Sequence, residues 1–256
     1  VSLMLLTLSY VIIAGNEQPK HNNAITTDEL AKDLKSSDWG KKRSALNLLL
    51  QRTDEQSTRN ALMQELRAEY ERGEQWWRRN GEEVKKGRTP GEQLEGWGES
   101  LNSILEAVAA FPDADAPSVL VPFCLYSKKA RDRVVSSGEP IIGDVLGCLE
   151  KSNNQDSLCG VAMVVKEMAS KQNISASNKA RLRKVLGSRL SSEVGFERVY
   201  FIRALALVGD QTSAQLLETV AAQDAYTVKN PQTTKISYPV REEANKAIEE
   251  IREREK

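Results

Sequence analysis

Apolar residues recur every three or four positions along most of the chain from residue 28 onward. This spacing places them on one side of an α-helix, and the periodic segments are separated by Gly, Pro, Asp or Asn. The pattern predicts helices at 28–34, 38–52, 101–109, 155–170, 177–191, 196–208, 212–222 and 239–254. Sustained two-residue alternation is absent, so no strand is predicted. The fold class that the sequence indicates is all-α.

A longer helix is predicted after residue 54, because a single apolar stripe continues over more than twenty residues. The stripe consists of Leu62, Leu66, Tyr70, Gly73, Trp77 and Val84. We expect Thr53 and Gln56 to form a capping box at its start. Trp77 is expected to lie in the core, and Gly73 is expected to permit a close helix crossing. A loop rich in Gly and Pro begins near residue 87.

Two segments, 106–124 and 203–221, have the same order of an apolar run, a turn with an acidic residue and a second apolar run. At an offset of 204 − 107 = 97 positions, Ala107 aligns with Ala204 and Asp113 aligns with Asp210. A looser copy occupies 130–149. Because one helix pair of this size cannot bury its apolar face alone, we expect neighbouring pairs to stack.

These units resemble HEAT repeats, a family of helix-pair repeats. The resemblance is carried by "YPVREEANKAIEEI", "RALALVGD" with "SAQLLETVA", and "SSDWGKKRSALNLLL". It covers 101–254, with 28–52 as a more divergent unit, whereas 54–98 departs from the pattern. The resemblance implies an α-solenoid of stacked helix pairs over 28–254. Asp210 and Arg241 are the best matches to the residues that brace neighbouring repeats in this family.

The N-terminal segment differs from the rest, because residues 3–14 are apolar and carry no charge. About a dozen residues are fewer than the roughly 20 that span a bilayer as a helix. The length is typical of a signal-peptide core that ends near Gly15, and a buried first helix is the alternative. Residues 1–15 are thus a candidate signal peptide and 16–27 a polar linker. Export is the expectation, and a cytoplasmic location is the alternative.

Charge and composition narrow the classes of ligand. The chain has 36 basic and 36 acidic residues, so the formal net charge is zero, which does not favour nucleic-acid binding. Its single histidine, His21, and three cysteines are too few for a zinc site of the Cys/His type. No metal and no cofactor are expected. Cys124, Cys148 and Cys159 have apolar neighbours and are expected in the core, with a Cys148–Cys159 disulfide as the alternative in an exported protein.

Two places are candidates for contact with a partner. Trp76 beside Arg78 and Arg79 could stack on a planar ligand, since aromatic rings and guanidinium planes both do this. The alternative is an ordinary helix surface on which nearby glutamates offset the arginines.

The second place is the connection between the last two helices, which is longer than packing requires. Its candidates are Tyr226, Lys229 and Tyr238, and a passive insertion is the alternative.

Neither a phosphate-binding loop nor a nucleophile elbow is present in the sequence, and no metal motif occurs. The sequence therefore favours a non-catalytic scaffold that binds a partner protein on a curved helical surface. The HEAT resemblance leaves a second interpretation, an enzyme on a similar frame, because alkylpurine DNA glycosylases and phycobilin lyases are built in this way. A continuous positive groove through Arg78 and Arg79 would favour the glycosylase type.

Overall fold

The computed structural model describes residues 25–85, 97–171, 174–192, 194–229 and 235–256. The candidate signal peptide, most of the polar linker, His21 and most of the loop after residue 87 lie outside these ranges. Within them, no helix is long and apolar enough to cross a bilayer.

Helices dominate the described residues, so the predicted all-α class is confirmed. The α-helices are α1 (Thr27–Leu34), α2 (Trp39–Leu50), α3 (Gln56–Lys85), α4 (Trp97–Ala110), α5 (Ala116–Leu120), α6 (Lys128–Ser136), α7 (Ile142–Lys151), α8 (Gln155–Ser170), α9 (Ala176–Arg189), α10 (Gly195–Val208), α11 (Gln211–Gln223) and α12 (Pro239–Arg254). Short 3-10 turns follow α5 and precede α7, at Val121–Phe123 and Glu139–Ile141.

One strand pair corrects the prediction that the chain lacks strands. Between α11 and α12, β1 (Val228–Lys229) pairs antiparallel with β2 (Ile236–Ser237), with Val228 opposite Ser237. Each strand has only two residues, so a two-residue alternation has no room to appear in the sequence.

Polar side chains cap several of these helices. Thr26 and Glu29 form a capping box at α1, and Asp38 accepts a hydrogen bond from the backbone N–H of Lys41 at α2. The capping box expected at α3 is wrong. Gln56 instead donates its side-chain N–H to Asp113 at 2.6 Å, because that carboxylate lies opposite α3 in the turn after α4.

The helices from α4 onward pack in two rows. One row follows the contacts of α4 with α6, α6 with α8, α8 with α10 and α10 with α12. The other follows α5 through its 3-10 turn to α7, then α9 and α11. Helices also pack across the rows, as α7 does with α8, α9 with α10 and α11 with α12. The apolar stripes of both rows meet in one core, which includes the fully buried Val165, Leu186 and Phe201.

Helix α3 is an exception to this order, because its 30 residues pass alongside α1, α2, α4 and α5. Its stripe is fully buried at Leu62 and Leu66. Tyr70 and Trp77 are only half-buried, so the expectation that Trp77 lies in the core is wrong. The reason is that the C-terminal half of α3 faces a cavity instead of another helix.

Gly73 of α3, where a close helix crossing is expected, lies against the residue that caps α8, and the described part of α3 makes no extensive contact with α8 itself. A Cβ atom at this position would lie 3.3 Å from the side-chain nitrogen of Asn154, the residue that caps α8. A side chain at this position would therefore require the Asn154 side chain to shift slightly.

The cysteines are all buried and free, which confirms their place in the core and excludes a Cys148–Cys159 disulfide in this structure. The two residues matched to bracing positions have separate roles. Asp210 caps α11 and forms an ion pair with Arg183 of α9 at 3.1 Å. Arg241 donates to the backbone carbonyl of Asp224, in the connection that precedes its own helix.

Candidate binding cavity

A cavity of about 770 Å³ lies beside the C-terminal half of α3. Its other walls are the turn between α7 and α8 and the turn between α9 and α10. A space of this size is in the range that holds small ligands or a short stretch of polypeptide.

The turn between α7 and α8 forms the floor, and a buried carboxylate holds it against α3. Glu74 is 6% exposed and accepts hydrogen bonds from the hydroxyl of Ser152 and from the backbone N–H groups of Asn153 (3.0 Å) and Asn154 (3.4 Å). These donors precede the first turn of α8, where a negative charge is also favoured by the helix dipole.

The same turn is held from the opposite side by Arg189 at the end of α9. Its guanidinium donates to the backbone carbonyls of Leu149 (2.8 Å), Glu150 (3.1 Å) and Ser152 (3.2 Å). The carboxylate of Glu74 therefore accepts hydrogen bonds from the N–H groups of the turn, and the guanidinium of Arg189 donates hydrogen bonds to its carbonyl groups. Because these backbone groups are satisfied, the floor is fixed before any ligand enters.

The turn between α9 and α10 forms the far wall. The hydroxyl of Ser192 donates to Glu197, which is 4% exposed, at 2.6 Å. Arg198 donates to the backbone carbonyl of Ser192 and pairs with Asp224 at 2.7 Å. This wall is thus tied to the connection between α11 and α12.

The tryptophan pair reaches the cavity through one member only. Trp77 and Arg78 line it, whereas Trp76 and Arg79 do not. Trp76 packs edge-on against Trp77, with ring centroids 5.3 Å apart and an interplanar angle of 87°. Arg79 donates to the backbone carbonyl of Gln75 at 3.4 Å. Trp76 therefore positions Trp77, and of the two arginines Arg78 is the one available to a ligand in the cavity.

The charges along the cavity are balanced. Its basic and acidic lining residues are Arg78, Lys151, Arg189, Glu82, Glu150 and Glu197. Three cations and three carboxylates do not make a continuous positive groove, which is the feature expected of the glycosylase type.

The second group of predicted contact residues lies elsewhere. The ring of Tyr226 packs on Gly195 at the start of α10, so closely that a Cβ there would lie 2.0 Å from it. Lys229 is exposed in β1, and Tyr238 is 40% exposed, with Arg241 stacked 4.7 Å from its ring centre. None of the three lines the cavity, so the structure does not join the two predicted groups into one site.

Several lining residues are missed by the sequence patterns. Lys151 ends α7 and Gln155 begins α8, and the two are ordinary helix-end residues in the sequence. Asn154 is a recognisable helix cap in the sequence, and it indicates where α8 begins. It does not indicate which part of the chain lies opposite the start of α8.

Ionisable groups behind the floor are held in their neutral forms. Burial raises the pKa of the Cys148 thiol to about 12, and burial also raises the pKa of the Tyr70 phenol. Both groups are therefore protonated at neutral pH. Among the described residues, no cluster of three or more His, Cys, Asp or Glu side chains could hold a metal ion.

Comparison of the chain with protein-family models, with curated proteins and with solved structures finds no match.

Proposed function

We propose that the chain is a non-catalytic scaffold that binds a partner protein at the cavity beside α3. We propose further that its frame is an α-solenoid of the HEAT type. The two rows of helices and the contacts between successive pairs support this frame, since stacked repeats contact mainly their neighbours.

The cavity with its fixed floor is the observation that carries the proposal. Glu74 and Arg189 hold the turn between α7 and α8 from opposite sides. Such preorganisation favours binding, because a rigid site loses little conformational entropy when a ligand enters. Trp77 adds an aromatic wall, and aromatic residues are enriched where protein partners bind.

The balanced charges support a protein partner over a nucleic acid. Proteins that bind nucleic acids gain most of their affinity from a surplus of basic groups near the phosphates. With three carboxylates beside three cations, the cavity lining has no such surplus. A protein partner presents charges of both signs and fits such a wall.

Site-specific photo-crosslinking in the native cell tests the proposal. A photoreactive phenylalanine analogue replaces Ser188, an exposed residue of α9 that lines the cavity, in one variant and Lys246, which is exposed on α12, in the control variant. We expect a discrete protein adduct from position 188 that is absent from position 246. The captured partner, once purified, should then bind the wild-type chain in calorimetry. Capture of nucleic acid or a small molecule instead would overturn the proposal. Fractionation of the same cells would test the proposed export.

A further inference from the structure

One buried amide in the cavity has no partner. Gln155 is the first residue of α8, lines the cavity and is only 6% exposed. Its side-chain amide makes no hydrogen bond to any residue that the structure describes. The amide therefore faces the cavity, where a ligand that can both donate and accept a hydrogen bond would take the place of water. A peptide backbone supplies an N–H and a carbonyl for this purpose.

Some charged side chains of the cavity already interact with other residues of the chain, and others do not. Arg189 donates to three carbonyls, Glu197 accepts from Ser192, and Glu82 interacts elsewhere within the chain. Arg78 and Lys151 have no ion-pair partner among the described residues. The groups left for a ligand thus include two cations.

The remaining lining carboxylate, Glu150, is exposed at the end of α7. With Glu150 counted, the groups left for a ligand carry one more positive than negative charge. A carboxylate side chain is the ligand group that matches two unpaired cations, and a charge-assisted hydrogen bond to it is about twice as strong as a neutral one.

From these groups we infer that the cavity takes an acidic peptide segment of the partner protein. The amide of Gln155 binds the peptide backbone, and Arg78 and Lys151 bind an Asp or Glu side chain. Trp77 packs against an adjacent side chain. The inference rests on the proposed function and adds to it the class of segment that is recognised.

Peptide pools with one fixed position test this class. Fluorescein-labelled octapeptides are random except for a central Glu in one pool and a central Gln in its matched pool. Fluorescence polarisation with the full chain measures the affinity for each pool. We expect the Glu pool to bind at least tenfold more tightly than the Gln pool, because Gln keeps the shape and loses the charge.

Three variants assign the binding to this cavity. Arg78→Gln combined with Lys151→Gln should remove the preference for Glu, and Gln155→Leu should weaken binding to both pools about fivefold or more. Arg79→Gln is the control, since Arg79 is adjacent on α3 and does not line the cavity. Each variant is first checked for an unchanged thermal unfolding midpoint, and the two charge changes on exposed side chains should leave it unchanged.

The outcomes separate the two proposals. Equal binding of the Glu and Gln pools, or no measurable binding of either, overturns the acidic-peptide inference. Tighter binding of a random single-stranded octanucleotide than of the Glu pool also overturns it. The scaffold proposal is decided separately, because a partner captured at position 188 supports it whatever the pools show.

Discussion

Replacing Glu74 with alanine should loosen the contact between α3 and the floor of the cavity. The change removes the acceptor of three hydrogen bonds that join residues 78, 79 and 80 positions apart in the sequence. Hydrogen bonds to a charged group contribute about 1.5–3 kcal/mol each, and the three share one carboxylate, so their contributions do not add fully. The longest of them, to the N–H of Asn154 at 3.4 Å, is also weak. We therefore expect a loss of about 3 kcal/mol in the free energy of unfolding.

Urea unfolding followed by circular dichroism measures this loss directly. In a chain of this length a loss of about 3 kcal/mol corresponds to a fall of about 6–12 °C in the unfolding midpoint. Glu71→Ala is the matched control, because Glu71 lies one turn earlier on α3 and is exposed. It should change the free energy of unfolding by less than about 0.5 kcal/mol. If Glu74→Ala and Glu71→Ala agree to within about 0.5 kcal/mol, the hydrogen bonds of Glu74 do not contribute to stability.

Three further expectations concern the core and the turns. Gly160→Ala should destabilise the protein by about 1–3 kcal/mol, because the new Cβ would lie 2.5 Å from a backbone nitrogen. Gly147→Ala should stabilise it by about 0.5–1 kcal/mol, because the new Cβ meets open space. Equal thermal midpoints for the two variants would contradict this expectation. Burial raises the pKa of all three cysteine thiols. A thiol reagent at pH 8 should therefore label no cysteine in the folded protein and 3 cysteines after denaturation. Fast labelling of the native protein would contradict the burial of these cysteines in the core. Hydrogen bonds, first from Gln56, lower the pKa of Asp113, so its stabilisation is complete above about pH 4 and is lost as the pH falls through the folded-state value. Asp113→Asn should therefore destabilise the protein more at pH 7 than at pH 3, in urea titrations at both values.

Features that depend on local sequence were predictable. The last helix begins at Pro239 and ends at Arg254, as its periodicity and its first-turn proline indicate. Helix α8 also has the predicted ends, because Asn154 caps it and the apolar period stops at Ser170. In both cases the signal and the structure lie within the same few residues.

Features that depend on the path of α3 were not predictable. Trp77 continues an apolar stripe, and the stripe alone does not reveal that a cavity lies opposite it. Gln155 and Arg189 look like ordinary helix-end residues. Their place at the cavity depends on the turn between α7 and α8, which Glu74 and Arg189 hold through hydrogen bonds to residues 79 and 40 positions away. Periodicity reports which face of a helix is apolar, and it does not report what that face meets.

The hydrogen bonds between Glu74 and residues 152–154 also have a consequence for biosynthesis. Helix α3 leaves the ribosome well before residues 152–154, to which it binds, because the chain emerges from its N-terminus. The stacked helices can dock on their neighbours as they appear, but the cavity is complete only after Glu197 of its far wall has been made. A partner that binds this cavity would therefore find its site only on chains in which α3 has closed onto the finished stack.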